Sequence, residues 1–158
     1  MTSKLKAPFP YFGNKMRAAE EIWRRFGEVS CYVEPFAGAI GALLRRPGWR
    51  PGLRWRETIN DADGHIVNVW RSIQRDPDAV WKAADHLVAD VELTARHGLI
   101  VKTREDISER LRADPEWYDA HLAGVWVWGA CCAVGADWSN STPLRGKPYT
   151  NCIYIKSG

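Results

Sequence analysis

One ten-residue stretch near the N-terminus limits the folds open to this chain more than any other feature. It runs from Tyr32 to Gly41 and reads YVEPFAGAIG, a short apolar run followed by an acid, a Pro-Phe step and a loop of small residues. Such a run predicts a buried strand that turns into a ligand-binding loop, because glycine allows the backbone to approach a ligand closely.

A second short strand follows about 20 residues later, a spacing typical of nucleotide-binding α/β folds. Residues 57–60 read ETIN, and Asp61 comes directly after them. In such folds a carboxylate at this position accepts the ribose hydroxyls, so the two strand ends together predict a nucleoside pocket. Taken singly, each signal also has a simpler interpretation. The glycine loop could be a tight turn, and Asp61 could be a helix N-cap.

Strands and helices alternate in the predicted order of elements up to residue 75. The pattern predicts helices over 15–26, 39–46 and 63–75 and strands over 31–34 and 57–60. Asn14 is the expected N-cap of the first helix, Gly27 its end, and Pro47 the end of the second. This alternation is typical of a parallel sheet, so the predicted fold class is α/β.

The second half of the chain is predicted to be helical. The expected helices cover 77–89, 91–112 with a break at Gly98, and 115–134, and a short strand is possible over 152–155. Asp76-Pro77 and Asp114-Pro115 each read as an N-cap followed by proline at the first helical position. We therefore expect an α/β part over 1–75, a helical block over 76–135 and a loop-rich tail over 136–158.

Composition narrows the classes of function. The 158 residues match one ordinary domain, and a net charge of +3 permits a nucleic-acid partner without requiring one. Without an apolar run near 18 residues or a signal peptide, we expect a soluble, cytosolic protein. The four cysteines and four histidines lack metal-ligand spacing, which argues against a zinc site or a histidine relay. Cys31 is expected to be a small buried hydrophobe, and most of the tryptophans are expected to pack in the core.

Three motifs occur in order in the first half of the chain. Residues 8–15 read PFPYFGNK, residues 33–38 read VEPFAG, and residues 59–61 read IND. In this order they resemble the motifs P-F-x-Y-x-G-x-K, V-E-P-F-x-G and N-D of adenine-specific DNA methyltransferases of the Dam type, the D12 class. The helical block, with WVWG at 126–129 and GADW at 135–138, is similar to the variable region of phage-borne relatives.

The resemblance implies a Rossmann-like methyltransferase fold that binds S-adenosylmethionine, with the helical block as an insertion or target-recognition region. The positions that it assigns to the cofactor are Tyr11, Lys15, Glu34, Pro35, Phe36, Gly38, Asp61 and Ala62. Asp61 would accept both ribose hydroxyls, since a carboxylate offers paired acceptors. Glu34 would meet the ammonium group of the methionyl part, and Lys15 its carboxylate. The alternative for Lys15 is a solvated charge at a helix start.

The catalytic tetrapeptide of the family, D-P-P-Y, has no match in the sequence, which contains no Pro-Pro pair. In the family this motif aligns the amine of a flipped adenine with the methyl group. The closest sequences are the two Asp-Pro helix caps and Lys147-Pro148-Tyr149 in the tail. No catalytic residue is therefore assigned. The open interpretations are a fragment of a longer enzyme, an enzyme completed by another chain, and an inactive remnant that binds cofactor or DNA.

Double-stranded DNA is the partner that the resemblance implies. Candidate phosphate contacts are Arg50, Arg54, Arg56, Arg145 and Lys147, although solvated loops would carry the same residues. A sheet of few strands leaves unpaired edges and bare apolar faces. We therefore expect self-association, cover by the helical block, or a C-terminal half supplied by another chain. A third hypothesis is an unrelated helical interaction protein, which would bind no nucleoside.

Overall fold

Two parallel strands form the centre of the N-terminal part. The computed structural model describes residues 5–48, 54–133 and 138. In it, β1 spans Cys31–Glu34 and β2 spans Arg56–Ile59, and the two pair in parallel along their whole length. The ladder continues at the carboxyl end, where the Asn60 N–H donates to the Glu34 carbonyl at 2.9 Å. The predicted first strand and the parallel arrangement are confirmed, and β2 lies one residue earlier than expected.

Side chains alternate between the two faces of β1. Tyr32 and Glu34 are buried, whereas Cys31 is exposed and Val33 is 56% exposed. The prediction of a buried Cys31 is therefore wrong, because the strand directs odd positions to the outer face. On the inner face, the Tyr32 ring packs 4.8 Å from the Trp23 ring.

Trp23 belongs to α1, which spans Ala19–Phe26. The predicted helix over 15–26 is divided in two, since Lys15–Arg17 forms a 3₁₀ turn before α1 begins. The predicted end at Gly27 is confirmed, whereas Asn14 caps the 3₁₀ turn and α1 itself begins after Ala18. The Asn14 side chain accepts the Met16 N–H at 3.2 Å, and Gly27 ends α1 with a φ of +65°.

The helix expected over 39–46 does not form, and only Leu43–Arg45 makes a 3₁₀ turn. Ile40 has a φ of +46°, which a right-handed helix does not allow and which is strained for a β-branched residue. Gly41 lies so close to the Asn14 side chain that a Cβ there would overlap the amide oxygen. Tertiary contacts therefore override the local helical pattern.

Arg46 fastens the start of β2 to the preceding segment. Its guanidinium lies 3.8 Å from the centre of the Trp55 ring and forms an ion pair of 2.8 Å with Glu57. It also donates to the Val29 carbonyl. The buried charge is thus matched by an anion, a carbonyl and an aromatic face, a combination that suits the planar guanidinium.

The chain divides into two compact units, and the boundary lies between Ala62 and Asp63. Among the described residues, the second unit contains four helices. They are α2 (Gly64–Arg75), α3 (Pro77–Ala84), α4 (Asp90–Ala113) and α5 (Ala120–Cys132). The last of them, α5, packs against the other three, so α2 groups with the helical block. No helix in the described part of the chain is long and apolar enough to cross a membrane.

Three of the predicted helix boundaries in this unit are wrong. The helix that begins at Pro77 ends at Ala84, and α4 continues through Gly98 without a break. Asp114 ends α4 instead of starting a helix, and α5 begins after Asp119. The Asp76-Pro77 cap is confirmed, since the Asp76 side chain accepts the Ala79 N–H at 3.0 Å. The possible strand over 152–155 lies outside the described residues.

The start of α5 is set by Asn68 in the middle of α2. The Asn68 side-chain amide donates to the Asp119 carbonyl and accepts the Asp119 N–H, both at 2.8 Å. The Asp119 side chain then accepts the Leu122 N–H at 2.9 Å and caps the helix. A buried amide that satisfies both backbone groups of one residue fixes that residue in place. Such a contact, 51 positions apart in the chain, cannot be seen in the local sequence.

His65 is buried between α2 and α4. It is 1% exposed, and its Nε2 donates to the Ile100 carbonyl at 2.9 Å. Burial lowers its pKa below the ordinary value of 6.5, and the positive charge of Arg104 acts in the same direction. Asp63 and the Ile100 carbonyl act in the opposite direction and do not reverse the shift. His65 is therefore neutral in the folded protein at pH 7.

We predict that acidification destabilises the protein through His65. Below about pH 6.5 the unfolded chain binds a proton that folded His65 resists, so the free energy of unfolding falls toward the folded-state pKa. The contribution of this group has a slope of at most about 1.4 kcal/mol per pH unit. Urea unfolding between pH 7.5 and 5.5 should show a smaller loss for His65→Gln than for the wild type. The exposed His121→Gln is the control, and equal losses in all three proteins would contradict the prediction.

Two helical glycines should respond to alanine in opposite ways. At Gly124 in α5, a Cβ would lie 2.5 Å from both the Val80 carbonyl oxygen and the Ala83 Cβ. We expect Gly124→Ala to lower the free energy of unfolding by about 1–3 kcal/mol, as overpacking does. Gly98 in α4 has no atom within 4 Å of the same position. Gly98→Ala should therefore stabilise by about 0.5–1 kcal/mol, through helix propensity alone. Denaturant titration of both variants measures the difference.

Candidate functional site

The segment before the first strand forms a short strap, defined here as residues 8–15. Phe9 anchors it in the interior and is 2% exposed. The Asn14 N–H donates to the Tyr11 carbonyl at 3.2 Å, and Gly13 has a φ of +77°. A four-residue turn with a positive φ at its third position favours glycine there. The strap thus ends in a tight turn whose sequence, Tyr-Phe-Gly-Asn, suits its geometry.

Three contacts join this strap to the β1 loop, defined as residues 35–41. The Tyr11 ring lies against Gly38, where a Cβ would be 2.5 Å from two ring carbons. Asn14 lies against Gly41 in the same way. The Lys15 ammonium donates to the Phe36 carbonyl at 2.6 Å. Because both glycines lack a side chain, the strap reaches the loop backbone directly.

Asp61 holds the same loop from the side of β2. Its Oδ2 accepts the Gly38 N–H at 2.8 Å, and Gly38 itself has a φ of +48°. The Ala37 N–H donates to the Asn60 carbonyl at 2.9 Å. The N-cap of α2 is Asp63, whose side chain accepts the His65 N–H at 2.9 Å. The alternative in which Asp61 caps that helix is therefore excluded.

Glu34 is a buried carboxylate at the end of β1. Its side chain is 2% exposed, and Oε1 lies 3.5 Å from the Lys15 ammonium. The Tyr32 hydroxyl lies within reach of this carboxylate, and its remaining acceptor positions have no partner among the described residues. Burial raises the pKa of Tyr32 to about 12, and the negative charge of Glu34 and a hydrogen bond to its carboxylate act in the same direction. A buried carboxylate with unused acceptor positions is costly, so Glu34 is well suited to accept hydrogen bonds from a bound cationic group.

The remaining residues assigned from the sequence are placed as follows. Pro35, Phe36 and Ala62 are exposed, with the Phe36 side chain at 74%. Arg54 and Arg56 are also exposed, whereas Arg50, Arg145 and Lys147 lie outside the described residues. Lys15 is more than a solvated helix-start charge, since it bonds to the β1 loop and pairs with Glu34.

Sequence reasoning missed two residues of the site, Asn14 and Asn60. The sequence predicts Asn14 only as a helix cap, yet it also contacts Gly41. The Asn60 amide donates to the Pro35 carbonyl at 3.3 Å and thereby joins the two strand ends. Asn60 is part of the N-D motif, which was the available signal. Nothing in the local sequence indicates the second contact of Asn14.

The arrangement favours binding over covalent chemistry. It brings two carboxylates, one ammonium group and a glycine-containing loop to the carboxyl end of two parallel strands, where α/β folds bind ligands. A ligand can approach the backbone of such a loop closely. These groups match a zwitterionic amino acid and a diol. Within the described residues no three histidine, cysteine or acidic side chains form a group that could hold a metal ion.

A family model for the D12 class of N6 adenine-specific DNA methyltransferases matches residues 11–123. The match covers more than two thirds of the chain and includes Tyr11, Lys15, the β1 loop and both strands. This chain belongs to that family. Enzymes of this family methylate adenine in DNA and generally use S-adenosylmethionine. Neither the curated proteins nor the solved structures include a significant match to the chain.

The contact between Tyr11 and Gly38 should be visible in a double-mutant cycle. Gly38→Ala strains a positive φ and also clashes with the Tyr11 ring, whereas Gly13→Ala strains its φ in open space. We expect Gly38→Ala to cost at least about 1 kcal/mol more stability than Gly13→Ala. Removing the ring with Tyr11→Ala should make the Gly38→Ala change less costly, a coupling that chemical unfolding measures. Additive losses in the double variant would show that the ring and the glycine do not interact.

Proposed function

We propose that this chain forms the cofactor-binding portion of an S-adenosylmethionine-dependent DNA adenine N6-methyltransferase. The observation that carries the proposal is that strap, β1 loop and Asp61 meet in direct contacts at the carboxyl end of the parallel strands. Three motifs that are separate in the sequence therefore belong to one site. The family match supports methyl transfer as the chemistry, and these contacts support the location of the cofactor site.

The methionyl part of the cofactor fits the Glu34 end of the site. Glu34 offers two buried oxygens with unused acceptor positions to the ammonium group. Lys15 is 37% exposed at its side chain and can extend toward the carboxylate of the ligand. Lys15 forms an ion pair with Glu34 at 3.5 Å. A zwitterion would satisfy both residues at once, since each would face a group of opposite charge.

The ribose fits at Asp61. A carboxylate has about four acceptor positions, so the bond from Gly38 is compatible with accepting the two hydroxyls of a diol. That bond also orients the carboxylate, because the loop backbone holds one of its oxygens. Pro35, Phe36 and Ala62 present exposed surface beside these two acids and would line the pocket.

The bound cofactor supplies a sulfonium that makes its methyl group electrophilic, so the work of this chain is to position the donor. The strap, the β1 loop and Asp61 restrain one another and would hold the donor in one orientation. Exposed Arg54 and Arg56 are proposed phosphate contacts, which would orient DNA without reading its sequence. We assign no catalytic residue, because the 158 residues contain no D-P-P-Y sequence.

A second candidate is a methyltransferase-like module that binds cofactor or DNA without transferring the methyl group. Transfer of a labelled methyl group to DNA separates the two candidates. The measurement compares the chain alone with the chain plus a second polypeptide that carries D-P-P-Y. Transfer only with the second polypeptide supports a cofactor-binding portion of an active enzyme. Cofactor binding without transfer in either mixture supports the inactive module.

We predict that Asp61→Asn weakens S-adenosylmethionine binding by about tenfold or more. The asparagine oxygen can still accept the Gly38 N–H, so the change removes mainly the charged acceptor of the ribose hydroxyls. Hydrogen bonds to charged groups contribute about 1.5–3 kcal/mol, and 1.4 kcal/mol corresponds to a factor of ten. Isothermal titration calorimetry measures the affinity.

Asp78→Asn on the exposed surface of α3 is the charge-matched control and should bind as the wild type does. The absence of binding heat with folded wild type would overturn the proposed function. An affinity that is the same for Asp61→Asn and wild type would remove Asp61 from the site.

A further inference from the structure

Phe12 is an exposed aromatic residue that the proposed cofactor site does not use. Its side chain is 100% exposed, and it occupies the second position of the turn between Tyr11 and Asn14. The family motif leaves this position open, as the x between Tyr11 and Gly13. Phe9, three residues earlier, is buried and supplies the apolar anchor of the strap. The fold therefore gains no packing from the Phe12 ring.

The exposure of Phe12 is imposed by well-anchored neighbours. Tyr11 on one side packs on Gly38, and Asn14 and Lys15 on the other side contact Gly41 and the Phe36 carbonyl. The turn is thus fixed at both ends, and Gly13 supplies the positive φ that closes it. An aromatic ring held in solvent by a fixed turn is suited to meet a partner with a flat apolar face, because little conformational freedom is lost on contact.

The charge around Phe12 indicates what kind of partner this is. The first 19 residues contain Lys4, Lys6, Lys15 and Arg17 and no acidic residue. Lys6 and Arg17 are exposed. A strongly basic segment attracts a polyanion, and an exposed aromatic ring within it provides a stacking surface for a base. Nucleic acid combines both properties, and the family acts on DNA.

We infer that Phe12 stacks on an unstacked base of the DNA substrate, while Lys6 and Arg17 contact the phosphates on either side. The inference rests on the proposed function for the identity of the substrate. Enzymes that modify a base extrude it from the duplex, which leaves unstacked bases next to the site of reaction. Phe12 lies one residue from Tyr11, fully exposed on the strap that contacts the β1 loop. It would hold the DNA beside the cofactor.

The test compares the DNA affinity of Phe12 variants at fixed salt. The probe is a labelled single-stranded oligonucleotide that contains adenine, and fluorescence anisotropy measures its dissociation constant. Phe12→Leu keeps an apolar side chain but removes the aromatic face, and we expect roughly tenfold weaker binding. Phe12→Trp should bind at least as tightly as wild type. Phe26→Leu removes another exposed aromatic ring, at the end of α1, and should leave DNA affinity unchanged.

Two further measurements make the outcomes distinct. The salt dependence of DNA binding should be unchanged in Phe12→Leu and reduced in Lys6→Gln/Arg17→Gln. Only cationic side chains that contact phosphates release the counterions bound to the DNA. Calorimetry with S-adenosylmethionine should give the same affinity for Phe12→Leu and wild type. Equal DNA affinity of Phe12→Leu and wild type would overturn the stacking role, and so would a loss of cofactor affinity in that variant. Failure of wild type to bind the cofactor would instead overturn the proposed function.

Discussion

The N-terminal part of this structure depends on Gly38. Its φ of +48° turns the chain after β1, its N–H donates to Asp61, and its missing side chain leaves space for the Tyr11 ring. One residue thus connects the strap, the first strand and the end of the second. Any side chain there would both strain the backbone and displace the ring. The site exists because three segments can approach a single position that has no Cβ.

Two buried charges distinguish the two ends of the sheet. At the amino end of β2, Arg46 is matched by Glu57, a carbonyl and the Trp55 ring. At the carboxyl end of β1, Glu34 faces one ammonium group at 3.5 Å and the Tyr32 hydroxyl, which leaves acceptor positions of its carboxylate unused among the described residues. A satisfied buried charge stabilises local structure, whereas a partly satisfied one favours a ligand that completes it. The buried charges therefore indicate the carboxyl end of the sheet as the place for a ligand, and the sequence motifs indicate the same end.

In the helical unit, polar side chains of α2 hold the turn between α4 and α5 and join α2 to α4. Asn68 fixes Asp119, and Arg71 donates to the carbonyls of Asp114 and Trp117 between α4 and α5. His65 joins α2 to α4 through the Ile100 carbonyl. Asn68 and Arg71 satisfy backbone groups that the turn between α4 and α5 leaves without helical partners. The α4 to α5 connection is consequently specified from α2, more than 40 positions away in the chain.

The sequence by itself determined the family, the two strands and the helix ends that depend on adjacent residues. The Asn14 cap, the Gly27 stop and the Asp76-Pro77 start are of this kind, because a cap bonds to backbone within three residues. The sequence also indicated most residues of the candidate site, since they lie in short motifs at the strand ends. It did not show how those motifs touch.

Only the tertiary structure decided the features that depend on distant partners. Residues 39–46 do not form the expected helix because Gly41 packs on Asn14 and Ile40 takes a positive φ. Asp61 turns to Gly38 and leaves the N-cap to Asp63. The solvent position of Phe12 follows from contacts made by its neighbours. Local propensities are worth tenths of a kcal/mol per residue, so contacts between remote segments override them.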